Sequence, residues 1–200
     1  MTWNALADLY IIAGVPGVGK TTIGSLVARL MHTKFIDIPE FVKSERLYVE
    51  YDRSSRSYIV DLRALSAALS SAIRDEAKPP IVATHIAFKP RNCKVLRVLV
   101  LRKNPLSLLA TLRSRGYPLR KVAANVAAEL MDEQYVEFVR KFGRSRVIQL
   151  DVTQLKRHKA ARKAARLLSK GGRGDAVDWV YLLEKNNKLG RLLSFLSKYC

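Results

Sequence analysis

The sequence predicts an α/β fold in which one parallel, five-stranded sheet carries helices on both faces. Two observations carry that expectation. Short apolar runs alternate along the chain with segments of helical periodicity, the pattern of strand–helix–strand units whose strands lie parallel. The chain also has 200 residues, 48% of them hydrophobic. That supports one substantial core with small appended lobes, and is short for two full domains.

The elements follow in order. Leu9 to Ala13 is a short apolar run with a glycine directly after it, and reads as a buried parallel strand. From Thr22 to Met31, Ile23, Leu26, Val27 and Leu30 share one helical face. Phe35-Ile36-Asp37 is a second short strand. Residues 39–60 are polar and tyrosine-rich, with weak periodicity, and read as a small inserted lobe. Asp61 to Ile73 is a helix through Leu62, Leu65, Leu69 and Ile73. Pro79-Pro80 stops it, and a third strand starts at Ile81-Val82-Ala83-Thr84. Val95 to Leu101 is the fourth strand and Leu106 to Leu112 is helical. Gly116-Tyr117-Pro118 is a break, and one long helix is expected from Leu119 to Val139. Val147 to Leu150 is the fifth strand, followed by a helix from Leu155 to Leu168. Gly171 to Gly174 reads as a hinge before a C-terminal helical tail, residues 171–200, packing back on the core.

The most specific local signal is Gly14-Val15-Pro16-Gly17-Val18-Gly19-Lys20-Thr21, placed between the first strand and the first helix. The Gly-x-x-x-x-Gly-Lys-Thr pattern in that context is a phosphate loop. Its glycines allow backbone geometry that side chains would block, and its amides with the positive helix end surround a β-phosphate. Lys20 is expected between the β- and γ-phosphates of ATP. The Thr21 hydroxyl is expected on Mg²⁺, and Thr22 toward the α-phosphate. The predicted class is therefore a P-loop NTPase, a three-layer sandwich. A Rossmann site fits poorly, because the lysine has no role there.

No Asn-Lys-x-Asp guanine motif follows, and the chain is short for most helicase cores. A small kinase needs an acceptor lobe and an arginine-bearing cover. Residues 37–60 can hold a nucleoside monophosphate (the NMP lobe). Residues 113–123, with Arg113, Arg115, Arg120 and Lys121 around Gly116, can be the cover (the LID). The bland alternative for that cluster is a solvated loop. Asn125 and Glu129, four apart on one helical face, either brace the cover or are helix surface. His85 either orders a water or the magnesium shell, or simply closes a strand. Tyr10, Phe35, Trp179 and Tyr181 are expected to be packing residues, and His32 and His158 to have no special role.

The chain resembles the adenylate kinase group of archaea and the eukaryotic nucleus, the group tied to maturation of the small ribosomal subunit. The resemblance rests on Gly14 to Thr22, Tyr51-Asp52 with Ser57 to Asp61, Val82 to His85, Val98 to Arg102, Arg115-Gly116-Tyr117 and Asn125 to Leu130. It runs from about residue 9 to 152, with weaker likeness around Trp179. It implies that Gly14, Gly17, Gly19, Lys20, Thr21 and Thr22 grip ATP. It implies that Arg115 is the ATP-binding arginine of the cover, and that His85 is the histidine of the group's Asp-x-His motif. Lys20, Arg115 and His85 are the catalytic candidates it implies. The implied activity is transfer of the γ-phosphoryl of ATP to AMP or another nucleoside monophosphate, with ATP hydrolysis. The implied partner is a small-subunit ribosomal protein, the universal protein eleven. One position departs: the motif's aspartate is Ala83 here, and Asp37, Asp52 and Asp61 are the candidates to compensate. Asp61 is the best placed by the resemblance. A nucleotide-gated assembly ATPase with little kinase activity is the alternative.

The net charge is +19, beyond what binding ATP requires. A nucleic acid or nucleoprotein, here ribosomal RNA or a pre-ribosomal particle, is the expected polyanion partner. A charge-rich surface adapted to heat or salt is the alternative. Residues 156–173 carry eight Lys or Arg and no acid, over an alanine–leucine stripe. They predict a helix docked on one face, with a basic ridge on the other and no aromatic interleaving. Two cysteines, Cys93 and Cys200, are too few for a disulfide framework. No signal-like or membrane-length apolar run is evident, so a cytoplasmic protein without a membrane partner is expected.

Overall fold

The computed structural model describes residues 6–53 and 57–199. Cys200 lies outside them. Five parallel strands, β1 (Ala7–Ala13), β2 (Phe35–Asp37), β5 (Ile81–Ala83), β6 (Cys93–Arg102) and β7 (Val147–Asp151), form one sheet in the order β2-β5-β1-β6-β7. A separate antiparallel hairpin pairs β3 (Tyr48–Asp52) with β4 (Ser57–Val60). The predicted α/β class and five-stranded parallel sheet are both present.

Strand periodicity explains why both sheet faces are covered. Along β1, Tyr10 and Ile12 enter one core, with Leu99 and Leu101 of β6 beside them. Leu9, Ile11 and Ala13 enter the other, with Val98 and Val100. Side chains alternate between faces with period two, so a strand buried on both sides must be apolar throughout. The first face is covered by α1 (Lys20–Met31), α4 (Pro105–Ser114), α5 (Leu119–Leu130), α7 (Arg157–Lys170), α8 (Trp179–Lys185) and α9 (Leu189–Tyr199). The second is covered by α2 (Ile38–Ser44), α3 (Leu62–Ile73) and α6 (Glu133–Phe142).

Four expectations need correction. The long helix expected over 119–139 is two helices, because its halves belong to opposite faces of the sheet. Val122, Val126 and Leu130 enter the first core, whereas Phe138 and Phe142 enter the second. Asp132 makes the turn in a left-handed conformation, φ 56°, and its carboxylate pairs with the buried guanidinium of Arg102. The C-terminal run is likewise two helices, broken at Asn187, φ 53°. The stretch 39–60 is more regular than its sequence suggests, holding α2 and the hairpin. Finally, Gly171 to Gly174 does not read as a free hinge. A Cβ on Gly174 would meet the Gln149 carbonyl oxygen at 2.4 Å. The Asp175 N–H donates to that same carbonyl at 3.0 Å, so the segment is pinned along β7.

The tail is fastened through a buried polar network. Glu129 Oε1 accepts from Arg102 Nε at 2.9 Å, the Lys103 N–H at 3.0 Å and Trp179 Nε1 at 2.8 Å. Arg102 and Glu129 are each 1% exposed. Glu129 therefore neither braces the cover nor lies on the helix surface. Burial pushes its carboxyl up, against the pull of its donors. Tyr10 and Trp179 are packed as expected and Phe35 is half-buried, while Tyr181 is exposed. Among the described residues, no helix is long and apolar enough to cross a membrane.

Candidate active site

The loop between β1 and α1 is shaped by its glycines. Gly14 has φ 136°, and a Cβ there would lie 2.6 Å from the Leu101 carbonyl oxygen. Gly17 has φ 94°, and its Cβ would strike Leu112 at 2.7 Å. Both positions are strained for any other residue. The turn ends on Gly19, and α1 begins at Lys20 with no side-chain cap on its first amides. Those amides and the positive helix end are therefore open to an anion.

Lys20 Nζ donates to the carbonyls of Gly14 at 2.8 Å and Val15 at 3.0 Å. Desolvation, with Arg115 nearby, brings its pKa down to about 8 despite Asp37 and Glu129. Thr21 Oγ1 donates to Asp37 Oδ2 at 2.6 Å. Asp37 ends β2 and stands in register with Ala83 on β5. A carboxylate is thus present one strand away from where the resemblance expects it. Asp61, the compensating residue favoured on sequence, is instead committed to capping α3. Its Oδ1 accepts the N–H groups of Arg63 at 2.9 Å and Ala64 at 3.0 Å. Asp52 lies in the β3–β4 hairpin.

These groups open into a cleft of about 630 Å³. Gly17, Lys20, Thr21 and Asp37 line its loop end. Ile38, Val42, Ser57, Tyr58 and Val60 line the side formed by α2 and the hairpin. Arg115, Tyr117, Lys121 and Asn125 come from the α4–α5 connection and α5. The expected cover cluster is therefore split: Arg113 and Arg120 are exposed and do not line the cleft. Asn125 does line it, with its amide donating to the Lys121 carbonyl at 2.6 Å. Thr22 is exposed on the first turn of α1, outside the lining.

His85 follows β5, is exposed, and lines the cleft wall. Desolvation at the cleft wall, then the ammonium groups of Lys20 and Lys121, hold its pKa down at about 4 against the pull of Asp37. It is a neutral imidazole at pH 7. Sequence reasoning missed Glu133 and Gln134, which line the same cleft from the start of α6. They were hidden inside what read as one continuous helix.

Among the described residues, no cluster of three or more His, Cys, Asp or Glu could hold a metal alone. Mg²⁺ does not require such a cluster, since it keeps several waters and takes one or two carboxylates plus phosphate oxygens. Thr21 and Asp37 are the protein groups here of that kind.

The AAA domain family matches residues 11–132. The chain belongs to this family of P-loop nucleotide-binding proteins. It is 34% identical over 190 residues to a Pyrobaculum aerophilum protein named "Putative adenylate kinase", covering 94% of this chain and 93% of the relative. A Saccharolobus solfataricus protein of the same name is 28% identical, covering 96% and 97%. The fold is similar to shikimate kinase from Acinetobacter baumannii, with a TM-score of 0.55 and 17% identity over 84% of this chain and 96% of that one. That likeness concerns the fold alone.

Proposed function

We propose that this protein is a nucleoside monophosphate kinase of the adenylate kinase kind. It transfers the γ-phosphoryl of ATP to AMP or a related monophosphate, and releases the same group to water more slowly. The observation that supports this reading best is the two-ended cleft. One end is a phosphate loop, and the other is a separate wall from α2 and the hairpin. A triphosphate needs only the loop end, which leaves the second wall to hold an acceptor. The archaeal relatives' shared name agrees with it.

The chemistry follows from position and charge compensation, because phosphoryl transfer needs little covalent help. Lys20 is drawn from its loop carbonyls onto the β- and γ-phosphate oxygens. Arg115 and Lys121 add positive charge from the cover as the phosphoryl group moves. Mg²⁺, held through Thr21 and Asp37, would supply further neutralisation of the phosphate charge. Neutral His85 can accept a hydrogen bond from a water at the cleft wall, a route to hydrolysis when no acceptor is bound.

A second reading is a nucleotide-gated assembly ATPase, acting in the cytoplasm on the small ribosomal subunit through a ribosomal protein and rRNA. The +19 charge favours it. Product analysis with Mg-ATP, with and without AMP, separates the two. Kinase action gives two ADP per AMP consumed, at a rate well above hydrolysis alone. ADP formation that AMP does not accelerate, with AMP left intact, rejects the kinase reading.

A further inference from the structure

Away from the cleft, α1 and α7 lie side by side and leave a hollow of about 390 Å³ between their outer edges. Its apolar lining is Leu26, Leu30 and Ala161, and its polar lining is Arg29, His32, His158 and Arg162. A second hollow of about 500 Å³ shares Arg29 and His32 and runs on to Lys34 and Lys78. No carboxylate lines the first. The one that lines the second, Glu76, pairs with Lys34 at 2.9 Å. Among the described residues, neither Arg29 nor Arg162 has an ion-pair partner. Lys159 and Arg166 extend the basic edge of α7 and are exposed. Lys163, which the sequence assigned to the same ridge, turns to Asp175 at 2.8 Å and drops out of it.

The fold thus brings together two of the chain's three histidines, 126 residues apart in sequence, on the rim of a basic groove with an apolar lining. Unpaired guanidinium groups close together repel one another, and a chain of phosphates relieves that repulsion while releasing counterions. An imidazole face is a stacking surface for an unpaired base, and an apolar lining accepts a base or ribose face. A convex duplex would touch only the ridge and leave the hollow unfilled. A membrane surface wants large apolar anchors, and Leu30 is the one large apolar residue of the hollow counted as exposed.

We propose that the α1–α7 groove binds single-stranded nucleic acid, with phosphates on Arg29 and Arg162 and base or ribose faces between His32 and His158. This gives a location to the nucleic-acid contact of the assembly reading above and does not depend on phosphoryl transfer.

The test is fluorescence anisotropy of the full chain with a labelled twelve-nucleotide uridine RNA and the matching thymidine DNA, across 50 to 200 mM KCl as working conditions. Removing two phosphate contacts from a single strand makes the slope of log affinity against log salt shallower by about 1.4. The R29Q/R162Q pair is expected to show that change while ATP turnover stays at the parent level. K94Q/K188Q, an equal charge loss elsewhere on the surface, is expected to keep the parent slope. H32A/H158A is expected to bind about fivefold or more weakly with the slope unchanged, as for a lost stacking contact. Tighter binding of the RNA arm assigns the source to RNA, and equal binding assigns it to the shared phosphate and base chemistry. A parent slope in R29Q/R162Q, or the same loss in K94Q/K188Q, overturns the proposal. So does competition by a twelve-residue polyglutamate as strong as by the oligonucleotide. Kinase failure with groove binding intact would overturn the functional reading and leave this one standing.

Discussion

Replacing Asp37 by asparagine removes one negative charge while keeping the shape of the residue. Asp37 Oδ2 accepts the Thr21 hydroxyl at 2.6 Å, a charge-assisted bond worth about 1.5–3 kcal/mol. That bond fixes where the Thr21 oxygen points, and the carboxylate itself faces the cleft. Losing a group that orients a metal's ligands costs about 10–100-fold in metal affinity. The D37N variant is therefore expected to need about 10–100-fold more Mg²⁺ for half-maximal turnover. Asp37 also supports the charged form of Lys20, so its removal lowers the Lys20 pKa below about 8. The alkaline limb of kcat/KM should move to lower pH in the same variant. The assay is ADP release against Mg²⁺ at pH 7, repeated across pH. Ala83 stands in register with Asp37 on the adjacent strand, about 4.8 Å away in a parallel sheet. The double variant D37A/A83D, which moves the carboxylate one strand over, is expected to recover part of the lost affinity. D61A is the contrast: it should lose about 1 kcal/mol of stability as a lost helix cap, with the parent's Mg²⁺ curve. A D37N titration that overlays the parent would refute the assignment.

Three further outcomes follow from the same geometry. The parent kcat/KM for ATP should be flat from pH 5 to about 8 and fall above it, because charged Lys20 is the active form and His85 is already neutral above about 4; a limb near pH 6 would contradict this, and K20A should reduce turnover to background. R115A should lose about 10²–10³-fold in transfer while its denaturation midpoint stays within about 0.5 kcal/mol of the parent, since the residue is exposed; equal losses in both would make it structural. W179F removes one donor from buried Glu129 and should cost about 1.5–3 kcal/mol in urea unfolding, and an unchanged midpoint would show that the tail is not fastened through this network.

What could be read from the sequence was local, and what could not was the pairing of distant residues. The phosphate loop is eight consecutive residues whose spacing carries its chemistry, so its position was legible without a fold. The strands were legible because each holds a largely apolar run, most clearly in β1 and β5, where the buried residues are consecutive. The break at Met131–Asp132 was not. The spacing of apolar residues continues through it and only the face being buried changes, which periodicity cannot register. The turn is held by an ion pair with Arg102, 30 residues earlier in the chain.

The site divides along the same line. Lys20, Thr21, Arg115 and His85 all reach the cleft, and each was found through a motif of a few residues. Asp37 and Asp61 differ in their partners, and no short motif joins Asp37 to its own. One signal was available, since Asp61 directly precedes a periodic apolar run, the position where helix caps fall. Read that way, its carboxylate is already occupied by the N–H groups of Arg63 and Ala64. Asp37 gave no such signal. Its role depends on β2 lying beside β5, which sets its carboxylate against a hydroxyl 16 residues back in the chain. The same strand order explains how Ala83 can lack a side-chain oxygen while the loop keeps its carboxylate. In a parallel sheet the ends of neighbouring strands deliver side chains to one edge. A functional group can therefore move between β5 and β2 without moving in space by more than a strand spacing.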